Sequence, residues 1–398
     1  MTTTTNNEQK KLNVPNLRFK EFQGEWEKCT LSEVCKFHNG RAYKQSELLA
    51  AGKYRILRVG NFFTNDSWYY SNLELEDNKY AQDGDLLYAW SASFGPRFWK
   101  EEKVIYHYHI WKIDSFKNVD KEFMYHFLDL DSSKIKNEVQ GGTMVHITKG
   151  NMEKRTISYP SINEQKKIAK LLSLLDERIS TQNKIIDKLQ SLIKGLNDTL
   201  YAQHSDEVMT SFAELGTSYS GLSGKSAQDF GSGKPFITYL NVYSNNIINK
   251  NDFQYVAIKD GEKQNIVEYG DVLFTLSSET PNEVGIGSVF LGKEKVYLNS
   301  FCFGIHITNK EVAFPPYLSY YVSSTAFRKF IYPYAQGSTR FNLCKADFEK
   351  ASIKLPTLEN QKRIYLILGH IDCKIETERQ LLALYNSQKQ YLLRQMFI

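Results

Sequence analysis

The chain contains the same passage twice. Gln140-Gly141-Gly142-Thr143-Met144-Val145-His146-Ile147-Thr148-Lys149 returns as Gln336-Gly337-Ser338-Thr339-Arg340-Phe341-Asn342-Leu343-Cys344-Lys345. The register then holds without a gap at a constant offset of 196 residues, so Pro160 maps to Pro356, Gln165-Lys166 to Gln361-Lys362, Asp176 to Asp372 and Ile179 to Ile375. A unit this long is far larger than a solenoid repeat and implies a duplicated domain with a helix attached. The length agrees, since 398 residues exceed one ordinary core.

Weaker echoes precede the strong one in each half. Leu31-Ser32-Glu33-Val34 resembles Phe212-Ala213-Glu214-Leu215, and Gly40 falls opposite Gly221. Ile56-Leu57-Arg58-Val59-Gly60-Asn61 faces Phe236-Ile237-Thr238-Tyr239-Leu240-Asn241, and Gly84-Asp85-Leu86-Leu87 faces Gly270-Asp271-Val272-Leu273. The offset drifts through these, so the insertions lie in loops between shared strands. Repeating frameworks with diverging loops are expected where one scaffold presents two different binding surfaces.

Short apolar runs at 54–59, 85–89 and 104–113, broken by Gly, Asn and Asp, predict strands. Phe123, Phe127 and Leu128 recur at helical spacing and predict a helix over 121–130. After each shared proline comes an a/d heptad seam. The first is Ile168, Leu172, Leu175, Ile179, Ile186, Leu189, Ile193, Leu196 and Leu200, with Gln182 in one polar slot. The second is Ile364, Leu368, Ile371, Ile375, Leu382, Tyr385, Leu392 and Met396, with Glu378 in the same polar slot and Lys389 weakening the later half. Two matching seams in one chain favour mutual pairing over two separate amphipathic helices. A helix over 161–202 would span about 60 Å, too long for a domain of this size to reach back along, so the second helix is expected to return antiparallel.

The expected fold is therefore mixed α/β (α+β). Two similar β-rich domains are joined by two long antiparallel coiled-coil helices with a pseudo-twofold internal repeat. The expected divisions are a disordered start at 1–13, a first domain at 14–160, a first helix at 161–204, a second domain at 205–357 and a second helix at 358–398.

Composition narrows the function classes. The chain is 41% hydrophobic and 14% aromatic, and its net charge of +5 permits a polyanionic partner without demanding one. Five scattered cysteines with no CxxC pair suggest neither a disulfide framework nor a zinc site, and point to a reducing cytoplasm. Residues 1–11 do not read as a secretory signal and no stretch approaches a membrane span.

Enzyme signatures fail. Gly224-Lys225-Ser226 ends like a phosphate loop, but Tyr219 stands where that pattern needs glycine. Phe314-Pro315-Pro316-Tyr317 has the outline of an amino-methyltransferase tetrapeptide, yet Phe314 cannot hold the target amine. His107 and His109 could share one face of a strand, but no third metal ligand lies at useful spacing. No catalytic constellation emerges.

What is left is a set of polar, aromatic and basic loops at equivalent places in both halves. In the first they offer Arg41, Tyr43, Lys44, Arg58, Asn61, Ser91, Ser93, Arg97, Thr143, His146 and Lys149. In the second they offer Ser223, Lys225, Thr238, Tyr239, Asn241, Ser277, Ser278, Thr280, Thr339, Arg340, Asn342 and Lys345. Such side chains read base edges and hold phosphates. Singly, each suits an ordinary solvated loop; the repetition raises the DNA reading.

The chain resembles the DNA-specificity subunits of type I restriction–modification systems over nearly its whole length. The resemblance rests on Val14-Pro15-Asn16-Leu17-Arg18-Phe19 with Trp26, the doubled Gln-Gly-(Gly/Ser)-Thr segment, and Pro160…Asn163-Glu164-Gln165-Lys166-Lys167-Ile168. The copy Pro356…Glu359-Asn360-Gln361-Lys362-Arg363-Ile364 departs only in Glu359-Asn360. The resemblance implies two target-recognition domains that read the halves of a bipartite, asymmetric site on double-stranded DNA, with the helices as spacer. It further implies a non-catalytic subunit with no cofactor of its own. Its partners would be two adenine-methylating modification subunits carrying S-adenosylmethionine, and restriction subunits using ATP and Mg. The competing expectation is a two-headed protein-interaction adaptor, which a salt titration would separate, because phosphate contacts make affinity fall steeply with salt.

Overall fold

A computed structural model describes residues 12–63, 65–91, 94–138, 146–203 and 207–398. The chain divides into two compact units. One holds residues up to 183 together with 381–398, and the other holds 184–380.

In the first unit, strands Lys36–Asn39, Ile110–Asp114, Leu86–Ala89 and Gly95–Phe98 lie side by side in that order, all antiparallel. A second sheet orders Tyr69–Ser71, Tyr54–Leu57, Val104–Tyr106 and Tyr80–Ala81, and contains one parallel pair, Ile56 with Ile105 and Leu57 with Tyr106. The helix Lys121–Glu138 packs Phe123, Met124, Phe127 and Leu128 into a core with Trp26, Tyr88 and Trp111. The ladder Glu27–Thr30 with Thr156–Tyr159 joins the two ends of the domain.

The second unit repeats the plan. Gly216–Ser220, Cys302–Ile307, Val272–Thr275 and Gly287–Val289 form the antiparallel sheet. Gln254–Val256, Phe230–Ile237 and Tyr297–Leu298 form the mixed one, again with a parallel pair, Phe236 with Tyr297 and Ile237 with Leu298. Glu207–Thr210 with Ile353–Pro356 matches the end-joining ladder.

The weak sequence echoes coincide with shared backbone devices. The short helices Leu31–Val34 and Phe212–Leu215 both start behind a hydroxyl residue, Thr30 or Ser211, with a glutamate in the first turn. Gly84 and Gly270 have φ of +84° and +93°, a conformation that disfavours side chains. Asp85 and Asp271 each accept a backbone N–H three residues back, from Gln82 at 2.9 Å and Glu268 at 2.8 Å.

Both long helices run unbroken, over Ile162–Gln203 and Leu358–Met396. Every seam position named from the sequence is buried or half-buried, and so are Gln182 and Glu378. In the first unit, Ile168 and Leu172 share a core with Leu393, Met396 and Phe397. In the second, Ile364 and Leu368 share one with Ile193, Leu196 and Leu200. Each unit thus pairs one half of the first helix with the opposite half of the second, antiparallel in both cases. Lys389, expected to weaken the later half of the seam, is ion-paired there. Its ammonium sits 2.8 Å from Asp129 and 2.8 Å from Asp176, and the two carboxylates raise its pKa against the effect of burial.

Two expectations change. The run at 104–113 is not one strand: a turn at His107-Tyr108-His109 separates Val104–Tyr106 from Ile110–Asp114, which belong to different sheets. The ordered chain also reaches back past residue 14, because Asn13 donates to the Trp26 carbonyl at 2.6 Å and accepts the Trp26 N–H at 2.8 Å.

Candidate nucleic-acid interface

In each unit one tight turn carries the chain from the mixed sheet into the antiparallel one, and several candidate residues gather there. Gly40 crosses directly beneath the first turn, where a Cβ would meet the His107 oxygen at 2.3 Å. Gly221 crosses beneath the second, where a Cβ would meet the Asn299 oxygen at 2.0 Å. Only glycine allows this approach.

In the first unit, Ile110 N donates to His107 O at 2.9 Å, Trp90 N to His109 O at 3.1 Å and Trp90 Nε1 to Tyr108 O at 2.8 Å. Arg41 bridges to His107, and the Tyr43 ring stacks 6.5 Å from it. His107 and His109 lie 4.9 Å apart, His109 lies 5.0 Å from Trp90, and Trp90 lies 6.1 Å from His146, which pairs with Ser91. Burial first, then the charges of His109 and Arg58, lower the His107 pKa to about 4. Burial, then His146, lowers that of His109. Near neutral pH both imidazoles are therefore uncharged and can each donate and accept a hydrogen bond.

Arg58 immediately precedes the helix Val59–Phe63 and Asn61 lies on it. The Arg58 guanidinium lies 4.4 Å over Tyr69 and donates to Asn61 Oδ1 at 3.3 Å and Ser67 O at 3.1 Å, and Arg97 lies 4.7 Å over Phe63. Arg41 is committed to Glu47 through two hydrogen bonds, at 3.0 and 2.7 Å. Lys44 is exposed beside it, and Lys149 pairs with Glu153 at 3.5 Å. Ser93 and Thr143 lie outside the described residues.

In the second unit the corresponding turn is Asn299-Ser300-Phe301. Cys302 N donates to Asn299 O at 3.0 Å, Leu276 N to Phe301 O at 2.9 Å and Phe301 N to Asn299 Oδ1 at 2.9 Å. Arg340 lies 5.9 Å over the Phe301 ring. Ser277 pairs with Asn342, as Ser91 does with His146, and Tyr239 donates its hydroxyl to Ser277 O at 2.9 Å. Thr339, Thr280 and Ser223 are exposed. Thr238 caps the helix Tyr239–Ser244, and buried Ser278 donates to Glu283 at 3.1 Å. Lys345 pairs with Glu349 at 3.6 Å.

Two of the candidates leave the set. The Lys225 side chain is only 5% exposed and is held by Glu262 at 2.5 Å and the Ala257 carbonyl at 2.6 Å. That ammonium holds the Glu262 carboxyl well below its usual range. Asn241 is buried and makes reciprocal hydrogen bonds with the Asn249 backbone, at 2.8 and 3.0 Å. Both are architectural because their polar groups are already satisfied inside the domain. Conversely, Tyr108, His109 and Phe301 belong to the convergence and were missed. The first two were hidden in an apparently continuous strand. Phe301 has no motif, and only the Gly40–Gly221 correspondence pointed toward it.

Among the described residues, Arg58, Arg97 and Arg340 have no carboxylate partner, no His/Cys/Asp/Glu group could hold a metal ion, and no helix is long and apolar enough to cross a membrane.

The model of the type I restriction modification DNA specificity domain matches residues 23–191 and again 220–384. The chain belongs to this family, and is a specificity rather than a catalytic component. Among curated relatives it is 24% identical over 320 residues to the type I restriction enzyme MjaVIII specificity subunit of Methanocaldococcus jannaschii, covering 75% of each chain. It is 20% identical to the EcoBI specificity subunit of Escherichia coli, covering 94% of this chain and 85% of that one. Its fold is similar to the S subunit of the type I restriction–modification system of M. genitalium, with a TM-score of 0.54, 16% identity and coverage of 97% and 99%. A chain solved in work on complex assembly and conformational transition of the type I R-M system gives a TM-score of 0.56 at 15% identity, with coverage of 92% and 96%.

Proposed function

We propose that this chain reads a bipartite, asymmetric site on double-stranded DNA, one half-site per domain, and places the catalytic subunits of a type I complex over it. The supporting observation is that one scaffold carries two chemically different surfaces at the same turn. One offers neutral histidines, Tyr108 and Arg58; the other offers Phe301, Arg340, Tyr239 and Asn342. Arginines without a carboxylate partner suit phosphates and guanine edges, and neutral polar groups suit base edges.

The chemistry itself is assigned to partners. Two modification subunits with S-adenosylmethionine would methylate adenine, after flipping it from the duplex at a cost of about a few kcal/mol. Restriction subunits would use ATP and Mg. The two unbroken helices, at about 60 Å each, suit a spacer that sets the unread gap.

Arg340→Ala tests the division of labour. In the assembled methyltransferase, discrimination at one half-site should weaken by about 1–3 kcal/mol while the other half-site is read as before. Binding to duplexes mutated in either half measures this. Equal loss at both halves, or affinity that does not fall with salt, would favour a protein adaptor instead.

A further inference from the structure

Phe301 is 57% exposed, yet nothing about it is loose. Its backbone N–H and carbonyl are both hydrogen-bonded within the domain, and the chain beneath it is pinned by the glycine crossing at Gly221. The domain therefore holds a large apolar ring out toward solvent on a rigid support. Arg340 lies over that ring, a geometry that limits the wandering of the guanidinium. Thr339 adjoins Arg340 in the chain, and exposed Asn342 and the half-buried Tyr239 both meet Ser277 on the neighbouring strand.

A phenyl ring has no hydrogen-bonding group, so it adds nothing to phosphate binding and cannot read a base edge by donors or acceptors. The apolar group that duplex DNA exposes in its major groove is the C5-methyl of thymine. Resting on the DNA reading above, we propose that Phe301 is a specificity-determining residue of the second domain that recognises a thymine methyl, with Arg340 held against it to contact the neighbouring base edge. At the matching place the first domain has His109, uncharged and able to hydrogen-bond, so this methyl contact belongs to one half-site only.

The test uses the chain assembled with its modification subunits and duplexes carrying the site mapped from its adenine methylation. Each thymine of the second half-site is replaced singly by deoxyuridine, which removes the methyl alone. At one position the native complex should bind about fourfold more weakly, the worth of one buried methyl group. With Phe301→Ala that difference should vanish, and with Phe301→Leu, which keeps an apolar side chain, part of it should persist. The salt dependence of binding should be the same for native and Phe301→Ala, because no phosphate contact is removed. Equal deoxyuridine sensitivity in native and Phe301→Ala complexes, or none in the native complex, overturns the proposal. A native complex that shows no sequence preference overturns the broader DNA reading instead.

Discussion

His126 is completely buried, with Nε2 3.1 Å from Ser173 Oγ and Nδ1 3.9 Å from Asp176. Burial, and then the nearby Lys389 charge, lowers its pKa to about 4. An unfolded chain would protonate this imidazole near pH 6.5. The unfolded state thus takes up the proton first, so stability is full above about pH 6.5 and falls as pH drops toward 4. Burial raises the Asp176 pKa, which acts in the opposite sense and blunts the acid end of the effect. His126→Gln should therefore flatten the fall in melting temperature between pH 7 and pH 5. An unchanged slope would place the acid sensitivity elsewhere. None of this was legible in the sequence, where His126 is one residue inside a helix and Lys389 looked like a flaw in a seam. Arg18 was legible only as a motif letter. It binds Glu164 in a bidentate pair at 2.7 and 2.8 Å, which explains why the second helix start differs. Its equivalent of Glu164 is Asn360, and the place equivalent to Arg18 lies inside the first long helix.

The long helices show how a repeat becomes a shared joint. Gln165, fully buried, accepts from Asp120 N at 2.7 Å and donates to Asn118 O at 2.9 Å and Pro160 O at 2.7 Å. Gln361, its equivalent, accepts from Phe314 N at 2.8 Å and donates to Val312 O and Pro356 O, each at 2.7 Å. Each glutamine thus ties its helix start to the strand before it and to the loop leading into an earlier helix of its own domain, Lys121–Glu138 or Pro315–Tyr321. Replacing either by Ala strands buried backbone groups and should cost its own unit about 3 kcal/mol, with similar losses in denaturant melts of the two variants. A loss confined to one variant would mean the two joints are not equivalent. At this scale the sequence was most readable, because heptad spacing and a gapless offset survive as geometry. The turns at His107–His109 and Asn299–Phe301 were not readable, because apolar spacing continues across a change of sheet and only the partner strands reveal it.

Across the whole molecule, the polar slots at Gln182 and Glu378 fall at equivalent places in the two helices, beside the division between the units. One heptad inserted after each would lengthen the helices by about 10 Å, or about three base pairs of duplex. The mapped methylation site should then gain a longer unread gap with both half-sites unchanged. Altered half-sites, or an unchanged gap, would exclude the spacer role. The duplication is legible in the sequence at this scale, whereas the place of residues 381–398 in the first unit is not.

Leu393, Met396 and Phe397 lie in the core of the first unit, with Phe397 stacked on Phe123, and Gln395 accepts the N–H of Leu17. During synthesis, therefore, the domain that leaves the ribosome first waits with an open apolar seat while the entire second domain is made. A chain interrupted shortly before residue 393 would keep every residue of the second unit yet leave a hole in the core of the first, so the half made early depends on residues made much later.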